Sequence, residues 1–267
     1  MGQAVSFNSS TSFSRDENLK TAIIIPARLG STRLPRKMLL AETGKTLIEH
    51  TYEAATRCKQ AERVIVATDD QEIITVVQGF GGEAVLTKKE HLSGTDRVAE
   101  AAAPLTDFDL IVNLQGDEPE IDPKCVDDVI ELLASNQDVH VGTVACPIRE
   151  RTMLNDPACV KVVMDHAGRA LYFSRSCIPH ARNWHPDLLQ TEPAIFWQHL
   201  GIYVYRREFL LRFSALPKSR LEGVEMLEQL RVLQAGAEIL VATANCTGKG
   251  IDTLDDYRAF VSRHSNC

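Results

Sequence analysis

No two cysteines in this chain have the CxxC spacing, and no apolar run approaches the length of a membrane span. The seven cysteines, Cys58, Cys125, Cys146, Cys159, Cys177, Cys246 and Cys267, are scattered and odd in number. That excludes a disulfide framework or a zinc ribbon and points to reduced thiols in a cytoplasmic protein without membrane insertion. An excess of positive charge is also missing. The net charge is -7, which argues against a nucleic-acid partner. Two phosphate-binding fingerprints fail as well. Gly44-Lys45-Thr46 looks like the end of a P-loop, but Leu39 stands where its first glycine belongs. Gly79, Gly81 and Gly82 do not form GxGxxG, and they follow a helical pattern where a strand is required. Asp117-Glu118-Pro119 is not the DxD of metal-dependent glycosyltransferases.

Residues 1–20 are Ser- and Asn-rich and lack the apolar core of a signal peptide, so a disordered tail is expected there. Met1-Gly2 with Ser6 fits a myristoylation pattern, and Asn8 and Asn245 open glycosylation sequons. The cysteine usage speaks against secretion. The remainder, 21–267, has the length of one large domain.

Within it, strand and helix signals alternate. Strands are predicted at Ile23–Ile25, Arg63–Ala67, Ala84–Leu86, Leu110–Leu114 and Val139–Cys146. Helices are predicted at Thr46–Lys59, Glu72–Gln78, Thr95–Ala102 and from Pro123 to Ser135 behind an Asp122 cap. Short, uninterrupted apolar strands between helices predict an α/β fold: a mostly parallel, Rossmann-like sheet with helices on both faces. From about 148 to 215 the pattern changes to strands without helices (Val160–Asp165, Ala170–Ser176, Phe196–Arg206), as in an inserted antiparallel lobe. A helix Glu222–Gln234 ending at Gly236, a strand Ile239–Ala242 and a helix Thr253–Ser262 complete the chain.

The polar residues gather where strands end. The first strand stops at Pro26 and opens into a loop with Gly30, Ser31 and Thr32 among the cations Arg28, Arg33, Arg36 and Lys37. Glycine lets backbone N–H groups approach phosphate oxygens, and Arg and Lys neutralise their charge, so the loop suits a triphosphate. The fourth strand runs into Asp117, and the last leads through Gly248 and Gly250 to Asp252. In open α/β sheets ligands bind beyond the carboxyl ends of strands. Two carboxylates ~4 Å apart repel by roughly 4 kcal/mol at an effective dielectric of 20, a penalty that a divalent cation reverses. Magnesium takes one or two carboxylates plus substrate phosphates. Asp117 alone could be an ordinary turn residue and Asp252 the N-cap of the last helix; their joint placement raises the metal reading. Downstream, alternation puts His199, Gly201 and Tyr203 on one strand face, which suits either an oxygen-rich ligand or a plain packing surface. Arg175 and Arg182 could hold a carboxylate. On the helix Glu222–Gln234, Glu225, Glu228 and Gln229 fall at i, i+3 and i+4 and hence on one face, with Met226, Leu227, Leu230 and Leu233 on its apolar side.

The ordered fragments IIPARLGSTRLPRK, VATDD, HLSGTDR, NLQGDEP, VKVV, LYFSRSCIP, HLGIY, EMLEQLRVL and GID resemble the 3-deoxy-manno-octulosonate (Kdo) cytidylyltransferase family over nearly the whole chain beyond the tail. HLGIY and EMLEQLR separate that family from its sialic-acid relatives. The resemblance implies an enzyme that joins CTP and Kdo into CMP-Kdo and pyrophosphate for lipopolysaccharide assembly. It further implies a homodimer with the antiparallel lobe at the interface. By similarity, Arg28, Ser31, Arg33 and Lys37 meet the CTP phosphates or nearby atoms, and Ser93 and Arg97 lie by the nucleotide. Asp117 and Asp252 hold Mg2+, while Gln115, Arg182, His199, Tyr203, Glu228 and Gln229 line the Kdo pocket. Lys37, Arg28, Asp117 and Asp252 form the catalytic set. Direct attack by the anomeric 2-hydroxyl on the α-phosphorus is expected, with a second metal carried by the triphosphate and no role for cysteine. Two positions depart from the family pattern: Arg36, where glycine is common, and Asp96, where glutamate is frequent. A cytidylyltransferase for 8-amino-Kdo or sialic acid, and a non-catalytic nucleotide-binding module, are the alternatives.

Overall fold

A computed structural model describes residues 19–30, 33–213, 215–245 and 250–264. The expected tail, apart from its last two residues, and Ser31, Thr32, Cys246, Gly248 and Cys267 lie outside the described residues.

Among the described residues nine strands form one sheet. The first, β1 (Thr21–Ala27), pairs in parallel with β2 (Arg63–Thr68) on one side and β4 (Leu110–Asn113) on the other. The short β3 (Ala84–Leu86) extends the β2 edge. Beyond β4 come β8 (Trp197–Arg206), β5 (Val141–Pro147) and β9 (Ile239–Thr243), in the order β3-β2-β1-β4-β8-β5-β9. Within that order only β8 runs against its neighbours. Two further strands, β6 (Lys161–Met164) and β7 (Ala170–Ser174), form an antiparallel pair, and β6 joins the amino-terminal end of β8. The antiparallel strands expected within 148–215 are present. The third, expected as part of an inserted lobe, lies inside the main sheet.

Alternation along the strands assigns the two faces. Ile23, Ile25, Val64, Val66 and Val112 point toward α1 (Leu47–Thr56), α2 (Gln71–Gly79) and α4 (Pro123–Ala134). Ala22, Ile24, Ile65, Ala67 and Ile111 point toward α3 (Gly94–Ala102), α6 (Arg207–Phe213) and α8 (Gln229–Gln234). A smaller cluster under residues 148–196 includes α5 (Arg151–Asn155) and buries Ile148, Leu154, Leu189 and Phe196. The last helix, α9 (Leu254–His264), packs Tyr257 and Phe260 against Leu34, Leu47 and Ile251. Residues far apart in sequence thereby become neighbours at the first loop.

Local chemistry sets the helix starts. Thr46, Asp70, Ser93 and Asp122 cap α1, α2, α3 and α4 through their side-chain oxygens. The helix expected over Glu222–Gln234 is broken in two. α7 (Arg220–Glu225) ends at Met226, whose φ of 54° is left-handed, and α8 begins at Gln229. Glu225 and Glu228 therefore do not share a helical face, and Met226, expected on the apolar side, is 75% exposed. Gly236 does end α8, at φ 80°: its N–H reaches Leu233 O, and the Ala237 N–H reaches Val232 O.

Candidate active site

The strand order reverses at β1, whose successor along the sheet is β4 on one side and β2 on the other. Ligands sit at such switch points. Here the crevice opens early, because β1 pairs with β4 only as far as Ile24↔Asn113. Pairing with β2 continues through Pro26 and Ala27, so the strand outlasts the proline that was expected to end it. Past Ile24 the β4 side of β1 is an open edge, where a residue without an N–H leaves no partner unsatisfied.

The loop after β4 fills the base of this crevice. Thr51 of α1 donates its hydroxyl to Gly116 O at 2.9 Å. A Cβ at Gly116 would lie 3.0 Å from Met38 Sδ and 3.2 Å from Pro26 O, so glycine alone fits without displacement. That close approach places Gln115 on one side of the loop and Asp117 on the other. On the Gln115 side, a cleft is lined by Pro26, Ala27, Arg28, His91, Ser93, Gly94, Arg97 and Gln115. Arg28 is exposed there. Arg97 is buried, donates to Thr87 Oγ1 and pairs with Asp69 at 3.3 Å. Ser93 caps α3 by accepting from the Asp96 N–H. His91 pairs with Glu100.

On the Asp117 side, the ammonium of Lys37 is the hub. It donates to Asp117 Oδ2 at 2.6 Å, to Ile251 O at 2.7 Å and to Asp252 Oδ1 at 3.4 Å. Lys37 is buried by the 3-10 turn Lys37–Leu39. Arg33 adds a second contact to Asp252 at 3.0 Å. Asp252 is free for this because it is not the cap of α9. Thr253 and Asp256 cap that helix reciprocally, with Asp256 N–H to Thr253 Oγ1 at 3.2 Å and Thr253 N–H to Asp256 Oδ2 at 3.0 Å. The Ile251 N–H also bonds Asp117 O at 2.9 Å, tying the two acidic loops together. Asp117 and Asp252 thus converge on the Lys37 ammonium.

Glu118, which sequence reasoning passed over, belongs to this cluster. Burial, together with the nearby Asp117 and Asp252, pushes its carboxyl up to about 8 against the pull of Lys37. Gly250 lies against it, since a Cβ there would sit 3.1 Å from Glu118 Oε1. The adjacent acids in NLQGDEP were visible in the sequence; the packing that desolvates the second was not.

Arg36 has a different place from its loop neighbours. It adopts φ 56°, the left-handed region in which glycine is at ease, and its guanidinium turns to Glu72 of α2. The family's usual glycine has a conformational reason here, and Arg36 faces a carboxylate, not the cleft.

The second group of expected residues divides. Gln115 lines the cleft. Glu228 accepts a hydrogen bond from Thr95 Oγ1 at 2.7 Å, which ties it to the start of α3. His199 is buried with Nε2 3.0 Å from Thr143 Oγ1, and burial lowers its pKa to about 3, so the ring is neutral. Its ring centroid lies 5.3 Å from that of Tyr203, on the shared strand face, and burial raises the Tyr203 phenol well above its usual range. Gln229 is buried in the first turn of α8. Arg182 is exposed and outside the lining of the cleft. Arg175 donates to Glu225 O and Pro157 O and ties α7 to the end of β7. The site brings together Arg28, Ser93, Arg97 and Gln115 on one side and Arg33, Lys37, Asp117 and Asp252 on the other; Ser31 lies outside the described residues.

The Cytidylyltransferase family model matches residues 22–239. The 3-deoxy-manno-octulosonate cytidylyltransferase of Rhodopirellula baltica is 50% identical over 246 residues, covering 92% of this chain and 98% of its own. That of Syntrophotalea carbinolica is 45% identical over 235 residues, covering 87% and 94%. A solved CMP:2-keto-3-deoxy-manno-octonic acid synthetase complexed with CTP superposes with a TM-score of 0.85 at 40% identity, covering 92% of this chain and 99% of that one. A strand-end site of this composition, on a fold shared along nearly the full length of these relatives, shows that the chain belongs to the 3-deoxy-manno-octulosonate cytidylyltransferase family.

Proposed function

We propose that this chain transfers CMP from CTP to the anomeric 2-hydroxyl of Kdo, releasing pyrophosphate, as a step toward lipopolysaccharide. The observation that carries this reading is the Lys37 ammonium gathering Asp117 and Asp252 beside a cleft lined by Arg28, Ser93, Arg97 and Gln115. Names of relatives and a CTP-bound neighbour support it. The cleft joins the amino-terminal end of α3 to two guanidinium groups, a combination suited to polyphosphate. Arg28, unpaired among the described residues, is available to a phosphate without breaking a native ion pair. Lys37 sets fixed positive charge at the border between cleft and carboxylates, where charge moves during phosphoryl transfer. The hydroxyl attacks the α-phosphorus directly, and the P–O bond to the β-phosphate breaks. None of the described cysteines lines the cleft, and burial pushes the Cys58 thiol up to about 12, so no thiolate is offered as nucleophile.

Magnesium fits the donor set. Asp117 and Asp252 supply hard oxygens, and the Asp252 side chain is 46% exposed and open to an incoming ion. Among the described residues no group of three or more His, Cys, Asp or Glu encloses a metal, which agrees with an ion that completes its shell with phosphate and water. Bound there, Mg2+ would neutralise phosphate charge and lower the pKa of the attacking hydroxyl. A readout independent of turnover is the melting temperature. Mg2+ raises it in the native protein and fails to do so in Asp252→Asn.

The homodimer is supported by exposed apolar side chains on α7 (Leu221, Val224) and its capping residue Met226, and by Leu171 on β7, to which Glu225 ties that helix. A cytoplasmic setting is supported by the described cysteines, none of them in a disulfide. No helix among the described residues is long and apolar enough to cross a membrane. Pyrophosphate release decides the reaction: with Mg2+, CTP and Kdo it is fast, and it falls to background when Mg2+ is omitted, when another nucleoside triphosphate replaces CTP, or when sialic acid replaces Kdo. Equal rates with sialic acid would overturn the assignment of the acceptor.

A further inference from the structure

Four polar side chains link α8 to the cleft. Glu228 accepts from Thr95 Oγ1 at 2.7 Å, Thr95 Oγ1 accepts from Asn113 Nδ2 at 3.4 Å, and Asn113 Oδ1 accepts from Gln115 Nε2 at 3.0 Å. Thr95 and Asn113 are buried. Neither was a sequence candidate, and neither lines the cleft.

The direction of this chain is dictated at one end. A carboxylate has no proton to give, so the single Thr95 hydroxyl proton goes to Glu228. The Thr95 oxygen is left as an acceptor, so Asn113 must present its NH2 to it. Asn113 then has only its carbonyl for Gln115, so Gln115 must present its NH2 in turn. Reversing either amide would set two donors or two acceptors face to face, leaving polar groups unsatisfied. The Gln115 stem is seated against Gly201 of β8, where a Cβ would lie 3.6 Å from its Cγ. Its remaining polar atom, Oε1, lies beside Gly94, where a Cβ would be 3.9 Å away. Gly94 and Gln115 both line the cleft.

We propose that Thr95 and Asn113 are positioning residues for substrate recognition: anchored on Glu228, they turn the Gln115 amide so that its carbonyl oxygen faces the cleft and receives a hydroxyl donor of the substrate. This rests on the reaction proposed above for the identity of the substrate. The chemistry it adds is that the Gln115 carbonyl oxygen takes a hydroxyl donor, since that atom would repel a carboxylate or phosphate oxygen. The hydroxyl belongs to the acceptor sugar; a ribose hydroxyl of the nucleotide is the other source, and the kinetics separate the two.

The test compares Thr95→Val, which keeps the shape and removes the hydroxyl, with Thr95→Ser, which restores it. KM for Kdo and for CTP is measured by pyrophosphate release. Thr95→Val is expected to raise KM for Kdo about tenfold, equivalent to about 1.4 kcal/mol, with KM for CTP within twofold, and Thr95→Ser to recover most of the loss. A rise for CTP alone overturns the acceptor assignment. Unchanged KM values, or equal rises for both substrates without rescue by serine, overturn the positioning role. A second measurement needs no turnover. The Gln115 side-chain NH2 resonances, assigned by their loss in Gln115→Leu, are expected to be shifted in the native protein and to move to free-amide positions in Thr95→Val and Asn113→Leu. Shifted resonances in a protein that releases no pyrophosphate would sink the proposed reaction and leave the chain of hydrogen bonds standing. Free-amide resonances in an active protein would sink the chain.

Discussion

A buried ammonium held by two carboxylates and a carbonyl is the residue-scale feature on which the site depends. Removing one partner leaves the others uncompensated, so Asp117 serves both the charge balance around Lys37 and the proposed cation. Asp117→Asn is expected to cut pyrophosphate release at least a hundredfold while circular dichroism stays native; near-normal turnover would remove Asp117 from the site. His199 gives a different kind of prediction. Burial lowers its pKa to about 3, below the ordinary value of 6.5. As pH falls through 6.5 the unfolded chain takes up a proton that the folded chain refuses, so stability is lost between pH 6.5 and about 3 and is fully present above that window. Between pH 7.5 and pH 5 the native protein is expected to lose about 2 kcal/mol more than His199→Gln in urea denaturation. Equal slopes for the two proteins would exclude the histidine as the source. Of the residues in these arguments, Lys37, Asp117 and Asp252 were legible in the sequence because strand ends collect ligands. Thr95 and Asn113 were not: a threonine inside an Ala-rich helix and an asparagine inside an apolar strand gain meaning only once the two elements are set side by side.

At the scale of elements, capping signals and apolar alternation were the readable part. Ser93, Asp70 and Asp122 start helices where their side chains accept from N–H groups two or three residues on. The break at Met226 was not readable, since a run of good helix formers such as EMLEQLRVL carries no glycine or proline to announce it. It is tertiary contacts that impose it. Ser174 Oγ and the Arg175 N–H both hold the Glu225 carboxylate, while Thr95 holds Glu228. The two glutamates are pulled to different parts of the molecule, and the chain between them turns left-handed at a methionine. A side chain other than glycine costs about 1 kcal/mol in that conformation. Met226→Gly is therefore expected to stabilise the fold by about 0.5–1 kcal/mol, offset in part by the greater freedom of an unfolded glycine. Calorimetry checks it, and a lower melting temperature would mean that the methionine side chain itself contributes contacts.

For the whole molecule, the parallel body followed from the alternation of strands and helices, but the place of β8 did not. Its residues read as one more strand of an antiparallel group. Its pairing with β4 on one side and β5 on the other is a long-range choice that local pattern does not encode. That choice places His199 and Tyr203 of β8 close to the Asn113–Gln115 segment, with Tyr203 in register with Asn113, and it leaves α7 on the outside. Val224 is 83% exposed and Met226 75%, and Leu221 on the same helix is exposed as well. In the homodimer proposed above this face would be the contact, since on a protein with net charge -7 two-fold pairing sets like apolar patches together and keeps the charged remainder in water. Sedimentation equilibrium at micromolar concentration is expected to give twice the 29.6 kDa chain mass for the native protein and the single-chain mass for Val224→Glu, whose carboxylates would oppose each other across the shared face. A native monomer at these concentrations would exclude this face as a stable interface, whereas a dimer that survives Val224→Glu would move the interface elsewhere on the sheet.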